Sequence, residues 1–84
     1  MAKRILIADD AAFMRMMLKN ILTSGGYEVV GEAGNGREAV ELYKKLLPDM
    51  LISDMVMPEM GGIDTLREIM KDYPAANVLI CSAI

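Results

Sequence analysis

Residues 5–10 of the chain read ILIADD, a short apolar run that is followed directly by two carboxylates. Residues 50–54 (MLISD) and 78–82 (VLICS) are built in the same way. Apolar runs that do not alternate with polar residues are typical of strands buried on both faces of a parallel sheet. Residues 27–33 (YEVVGEA) mix polar and apolar positions, which predicts an edge strand.

Helical patterns lie between these strands. The first helix is predicted from an apolar stripe at helical spacing, formed by Met14, Met17, Leu18, Ile21 and Leu22, and it ends at residues 24–26 (SGG). The second begins at the capping residue Asn35 and stops before Pro48, with an inward stripe of Ala39, Val40, Tyr43, Leu46 and Leu47. The third runs from about Gly62 to Lys71, with Ile63, Leu66, Ile69 and Met70 inward.

The order of elements is therefore β-α-β-α-β-α-β, which predicts an α/β domain with a parallel sheet and helices on both of its faces. The chain has 84 residues, 54% of them hydrophobic, and a formal net charge of −3. This composition excludes a disordered chain, and no apolar run approaches the roughly 20 residues of a transmembrane helix. The mild acidity argues against a nucleic-acid partner. A single cysteine, Cys81, fits a reducing cytosol, and we expect it to be inert in a buried strand.

Three carboxylates follow strands directly. Asp9 and Asp10 come after the first strand, and Asp54 ends the third. The carboxyl ends of parallel strands lie at one edge of the sheet, so these acids converge if the first and third strands are neighbours. Such acids repel one another, and a divalent cation such as Mg²⁺ removes the repulsion. Asp54 would then be an oxygen nucleophile beside a metal that neutralises incoming phosphate oxygens.

Two further groups belong to the same predicted edge. The Ser82 hydroxyl, at the end of the fourth strand, is placed to donate a hydrogen bond to a phosphoryl group on Asp54. The backbone carbonyl of Val56, two residues after Asp54, is placed to complete the metal shell. Each residue alone has a simpler interpretation, since an Asp at a strand-to-helix junction is often a helix cap and a serine there is often structural. Their occurrence together, each at the end of its own strand, favours a site.

The ordered set of motifs resembles the receiver domains of two-component response regulators, and residues 9–15 (DDAAFMR) look most like chemotaxis regulators of the CheY type. The stretches that carry the resemblance are 7–10 (IADD), 13–15 (FMR), 36–39 (GREA), 49–54 (DMLISD), 57–62 (MPEMGG) and 81–83 (CSA). The resemblance implies a flavodoxin-like (CheY-like) fold in which the strands take the family order 2-1-3-4-5. It covers the whole chain.

The resemblance also implies a role for each site residue. Asp54 would be the phosphoacceptor, and Asp10, Asp54 and the Val56 carbonyl would bind Mg²⁺ directly. Asp9 would orient a water of the metal, and Ser82 would move to the phosphoryl group as part of the switch. The phosphodonor would be a phosphohistidine on a histidine kinase, or alternatively a small acyl phosphate.

The family resemblance further implies a cytoplasmic signalling protein rather than an enzyme, whose chemistry is limited to its own phosphorylation and dephosphorylation. Its output partners would be flagellar motor switch and phosphatase proteins, with no nucleic acid and no membrane. Receivers continue after the fourth strand with a helix, a fifth strand that carries a lysine, and a last helix. We therefore expect residues 1–84 to be one receiver domain that is incomplete at its C-terminus.

Alternatives from other classes are also considered. A structural or engineered fragment would keep part of the site without signalling, and its exposed fourth strand would favour self-association. A phosphatase of the haloacid dehalogenase type also uses a strand-end Asp nucleophile, but it needs a second Asp at the position of Val56. A flavodoxin-like electron carrier needs a phosphate-binding loop rich in Ser, Thr and Gly after the first strand, where this chain has two acids.

Overall fold

The structure is a computed structural model that describes residues 2–81. Its strands and helices alternate as predicted: β1 (Arg4–Ala8), α1 (Ala12–Ser24), β2 (Glu28–Ala33), α2 (Gly36–Leu46), β3 (Met50–Asp54), α3 (Gly62–Asp72) and β4 (Val78–Cys81). All neighbouring strands are parallel, and their order is β2-β1-β3-β4. The predicted α/β class, the edge position of β2 and the family strand order are confirmed for the strands described.

The two central strands, β1 and β3, place the carboxyl ends of the apolar runs side by side. Their register pairs Ile5 with Met50 and Ala8 with Ser53, so both strands end at nearly the same height. Since the chain moves from β1 outward to β2 and then crosses back to β3, the reversal of direction falls between β1 and β3. Open α/β sheets bind their ligands at such a reversal.

The larger core lies between the sheet and helices α2 and α3. Its buried members are Leu6, Ala8, Ala33, Ala39, Tyr43, Leu51, Met57 and Ile69. The ring of Tyr43 packs against that of Tyr73 with 5.3 Å between centroids, which joins α2 to the end of α3. Burial, together with the neighbouring Tyr73, raises the pKa of the Tyr43 hydroxyl above its ordinary value, so this packing is maintained with a neutral side chain.

Local signals for α2 are confirmed in detail. The Asn35 side chain accepts a hydrogen bond from the Glu38 N–H at 2.8 Å, and the Glu38 carboxylate accepts one from the Gly34 N–H at 3.1 Å. These bonds satisfy backbone donors that have no partner within the helix. At the other end, Leu47 takes a left-handed conformation with φ of 46° and stops the helix one residue before Pro48. Leu47 is 54% exposed, so its predicted inward position is wrong.

The opposite face of the sheet is covered less fully, and here the predicted inward stripe of α1 is wrong in part. Leu18 and Leu22 pack on the buried Ile5, Ile7 and Ile52. Met14, Met17 and Ile21 are exposed instead, and α1 has no buried residue. Helical periodicity identifies an apolar side, but how much of that side is covered depends on neighbouring elements. Among the described residues, α1 contacts the sheet mainly through β1 and β2.

Strand β4 lies at the edge of the sheet, and burial on both of its faces is also a wrong prediction. Leu79 is 50% exposed, and Cys81 is an exposed free thiol rather than a buried one. On α3, Ile63 and Met70 are exposed, so their predicted inward positions are wrong. The polar residue Thr65 is fully buried instead. No helix among residues 2–81 is long and apolar enough to cross a membrane.

Candidate metal and phosphoacceptor site

The carboxylates that follow β1 and β3 meet at one point of the sheet edge. One oxygen from each of Asp9, Asp10 and Asp54 lies within 4.8 Å of the others. The pairing of Ala8 with Ser53 produces this cluster, because the residues that follow them leave neighbouring strands at the same height. The convergence expected from the sequence is confirmed as a geometric fact.

Asp9 is the most constrained of the three acids. It is 8% exposed, and its N–H donates to the carbonyl of Ala33 on β2 at 2.9 Å. Its Oδ1 accepts a hydrogen bond from the Ala11 N–H at 2.9 Å, just before α1 begins. This bond closes a turn ahead of the helix and does not cap α1, whose N-cap residue is Ala11 and which has no side-chain cap, so the simpler interpretation of Asp9 as a helix cap is wrong. Asp10 is exposed and lies at the mouth of the site.

Asp54 is half-buried at the last position of β3, and the start of α3 is packed tightly behind it. The Gly62 N–H donates to the Met55 carbonyl at 2.8 Å. A Cβ atom at residue 62 would lie 2.4 Å from the Asp54 carbonyl oxygen, so only glycine permits this approach. The Met55 N–H is held in turn by the Cys81 carbonyl at 2.9 Å. The backbone on both sides of the Asp54 carboxylate is thus fixed by its neighbours.

The remaining predicted site residues are placed less fully. Val56 lies two residues after Asp54 and is 76% exposed in the loop between β3 and α3. That loop is anchored by the buried side chain of Met57, and Glu59 takes a left-handed conformation with φ of 67°. The role of the Val56 carbonyl as a metal ligand stays a prediction. Ser82 lies outside the described residues.

The donor set suits a hard divalent cation. Its ligand atoms are carboxylate oxygens from two strand ends, one buried, one half-buried and one exposed. Three like charges at this spacing repel one another, and a cation among them removes that cost. Mg²⁺ binds through one or two carboxylates and keeps several waters, which an open mouth at Asp10 allows. The residues present therefore fit Mg²⁺.

Sequence reasoning missed two residues beside the acids. Arg15 of α1 donates a hydrogen bond from Nη1 to the backbone carbonyl of Asp9. Glu32 of β2 forms an ion pair with it, with 3.4 Å between Arg15 Nε and Glu32 Oε1. In the sequence, Arg15 stands out only as part of the motif at residues 13–15. The available signal was that Glu32 is a charged residue near the carboxyl end of a predicted edge strand; the register pairs it with Ile7, two residues before Asp9.

The response regulator receiver domain family matches residues 5–84, nearly the whole chain. The chain belongs to this family. Among curated proteins, this receiver is 64% identical to the chemotaxis protein CheY of Thermotoga maritima and 56% identical to that of Bacillus subtilis. Each match covers 100% of this chain and 70% of the relative. It is thus a receiver of the CheY type.

Solved structures agree with this assignment. The receiver matches the response regulator domain of Thermotoga maritima CheB with a TM-score of 0.92 and 44% identity, over 98% of this chain and 61% of that one. It also matches a chain of the CheX–CheY complex of Borrelia burgdorferi, which contains BeF₃ and Mg²⁺. The TM-score of this match is 0.94 at 37% identity, and the match covers 98% of this chain and 63% of that chain. The receiver thus spans somewhat less than two thirds of these chains. The dehalogenase and electron-carrier alternatives gain no support.

Proposed function

We propose that this receiver accepts a phosphoryl group on Asp54 in a step that requires Mg²⁺, and that the modification changes its affinity for partners. The convergence of three carboxylate oxygens within 4.8 Å at the ends of β1 and β3 carries the proposal. Proteins of this type signal rather than turn over a substrate, although a relative in Pyrococcus abyssi named protein-glutamate methylesterase/protein-glutamine glutaminase matches the receiver over 21% of its own length.

In the proposed transfer, a carboxylate oxygen of Asp54 attacks the phosphorus of a phosphohistidine on a histidine kinase. A P–O bond forms as the P–N bond breaks, and the electron pair of that bond returns to the imidazole. Asp10, Asp54 and the Val56 carbonyl would hold Mg²⁺, and Asp9 would orient a water of the metal. When bound, Mg²⁺ supplies positive charge beside the phosphoryl oxygens, which lowers the cost of bringing them to an acidic site.

The remaining parts of the proposal come from the family. Ser82 would move to the phosphoryl group and report its presence, and flagellar motor switch and phosphatase proteins would be the output partners. The CheX–CheY complex of Borrelia burgdorferi, solved with BeF₃ and Mg²⁺, supports both the metal and the use of a phosphoryl mimic. We place this signalling in the cytoplasm.

Binding of a phosphoryl mimic tests the proposal directly. With Mg²⁺ present, we expect beryllofluoride to produce a slowly exchanging ¹⁹F signal and to shift the backbone amides of residues 54–56. With neither Mg²⁺ nor another divalent cation present, the signal is expected to be absent. An acyl phosphate in place of beryllofluoride is expected to add the mass of one phosphoryl group. A receiver that shows no adduct and no amide shifts up to high Mg²⁺ concentration would contradict the proposal.

A second candidate function, a non-signalling fragment that self-associates, is supported by the edge strand β4. Within residues 2–81, no strand pairs with the outer side of β4. The strand reads VLIC, with no charge and no proline to prevent pairing, and its residue Leu79 is half-exposed. Exposed apolar edges of this kind pair with other strands, so the proposed partner is β4 of a second copy.

Sedimentation velocity tests the self-association proposal. If β4 pairs with itself, the 84-residue chain is expected to sediment as a dimer at high micromolar concentration, and Leu79→Lys is expected to return it to a monomer. Ile63→Lys is the matched control, because Ile63 is similarly exposed but lies on α3. A wild-type chain that stays monomeric at that concentration would defeat the self-association proposal.

A further inference from the structure

The backbone of Asp9 is held at both of its polar groups. The Asp9 N–H donates to the Ala33 carbonyl at 2.9 Å. The Asp9 carbonyl oxygen, which belongs to the peptide group between Asp9 and Asp10, accepts a hydrogen bond from Arg15 Nη1. Rotation of this peptide would carry the Asp10 backbone and side chain with it. The direction of the Asp10 carboxylate therefore depends on a guanidinium that touches none of the three acidic side chains.

Arg15 is itself positioned by an acid on the neighbouring edge strand. Glu32 is paired in register with Ile7, so it faces α1, and its Oε1 lies 3.4 Å from Arg15 Nε. That Nε atom is buried and has no hydrogen-bond partner among the described residues, so Glu32 acts on it as a charge. The Arg15 side chain is 21% exposed and that of Glu32 is 36% exposed, so the ion pair is partly accessible to solvent. Lys19 approaches the other oxygen of Glu32 at 3.7 Å and is half-exposed.

We propose that Arg15 and Glu32 are positioning residues for the metal site: they fix the peptide between Asp9 and Asp10 and thereby set the affinity for Mg²⁺. The inference rests on the proposed function, since it assumes that the acidic cluster binds Mg²⁺. Residues that orient metal ligands from outside the coordination shell commonly change metal affinity by about 10–100-fold when they are replaced. Here the orienting contact is made to the backbone, so it acts on the direction of the ligand and not on its basicity.

The sign of the effect separates positioning from simple electrostatics. A cation close to a divalent site repels the metal, so removing its charge is expected to strengthen Mg²⁺ binding if charge alone matters. If positioning dominates, the same removal is expected to weaken binding. Arg15→Lys keeps the charge and loses the planar guanidinium that reaches the Asp9 carbonyl while facing Glu32. Arg15→Gln keeps a hydrogen-bond donor and loses the charge.

The experiment measures the dissociation constant of Mg²⁺ from amide shifts in ¹H–¹⁵N NMR spectra, for the wild type and for both variants. We expect Arg15→Lys and Arg15→Gln each to weaken Mg²⁺ binding by about 10-fold. We also expect the Asp10 and Ala11 amide signals to move in the metal-free proteins. Lys19→Gln is the matched control, because it removes a cation from Glu32 without a contact to Asp9, and its Mg²⁺ affinity is expected to stay within about twofold of the wild type.

Thermal unfolding in the absence of metal shows which variants are folded. Two substitutions are made at Arg15, so that the inference can still be tested if one of them prevents folding. The double variant Arg15→Lys/Glu32→Gln is expected to bind Mg²⁺ no more weakly than Arg15→Lys alone, because the two residues act on the site as one unit. If the wild type binds Mg²⁺ and a folded Arg15→Lys variant binds it with equal or higher affinity, the inference is overturned while the proposed function stands. A wild type that binds no Mg²⁺ would overturn the proposed function and the inference with it.

Discussion

An Asp54→Asn variant is expected to lose the beryllofluoride and acyl phosphate adducts of this receiver, with adduct formation reduced by at least about 10²-fold. The amide oxygen is a far weaker nucleophile than the carboxylate, and the substitution also removes one of the charges that hold the metal. The backbone around Asp54 is held by contacts of Met55 and Gly62, and the substitution leaves these contacts intact. Mass spectrometry and ¹⁹F NMR measure the two adducts.

Asp64→Asn provides the matched control for this loss. Asp64 is an exposed acid in the first turn of α3, in contact with Arg67 on the same helix. We expect its replacement to leave both adducts unchanged. The metal-free Asp54→Asn protein is expected to be at least as stable as the wild type, because three crowded carboxylates become two. An Asp54→Asn protein that still forms the adducts would show that another residue is the acceptor.

Gly36→Ala is expected to lower the free energy of unfolding by about 3 kcal/mol and the midpoint of thermal unfolding by about 15 °C. Gly36 is the buried first residue of α2, where the helix meets the loop between β3 and α3. A Cβ atom there would lie 2.1 Å from the Met60 carbonyl oxygen and 2.3 Å from Thr65 Oγ1. The Thr65 hydroxyl donates to the Gly61 carbonyl, so relief requires the loop backbone to move.

The control for this prediction lies two residues earlier in the chain. A Cβ atom at Gly34 has its nearest neighbour at 3.7 Å, an ordinary contact with Arg15 Nη1. We therefore expect Gly34→Ala to change the free energy of unfolding by no more than about 0.5 kcal/mol. Chemical denaturation of both variants provides the comparison. Equal stabilities for the two variants would mean that the packing of α2 against the loop is looser than the structure shows.

Much of the fold was predictable because its signals are local. The apolar runs at residues 5–8 and 50–54 are short, unbroken and terminated by polar residues, so each could be recognised without knowledge of its neighbours. The cap at Asn35 was equally visible, since a capping side chain and an acid three positions later satisfy the same helix end. The convergence of Asp9, Asp10 and Asp54 followed once β1 and β3 were assumed to be adjacent.

Burial was less predictable, because it depends on what lies opposite a residue. Met14, Met17 and Ile21 occupy correct helical positions on α1 but are exposed, since in residues 2–81 only part of that helix faces the sheet. Leu79 and Cys81 belong to a run as apolar as that of β1, yet the edge position of β4 leaves them accessible. Thr65 shows the opposite case, since a hydroxyl that donates to a backbone carbonyl can be buried.

The sequence by itself determined the alternation of strands and helices, the parallel sheet and the presence of acids at the strand ends, because these depend on local patterns of polarity. Only the tertiary structure decided how the acids are held. The contact between Arg15 and the Asp9 carbonyl joins α1 to the end of β1, and Glu32 reaches the same point from β2. A contact of this kind depends on the packing of three elements, and no single stretch of the chain encodes it.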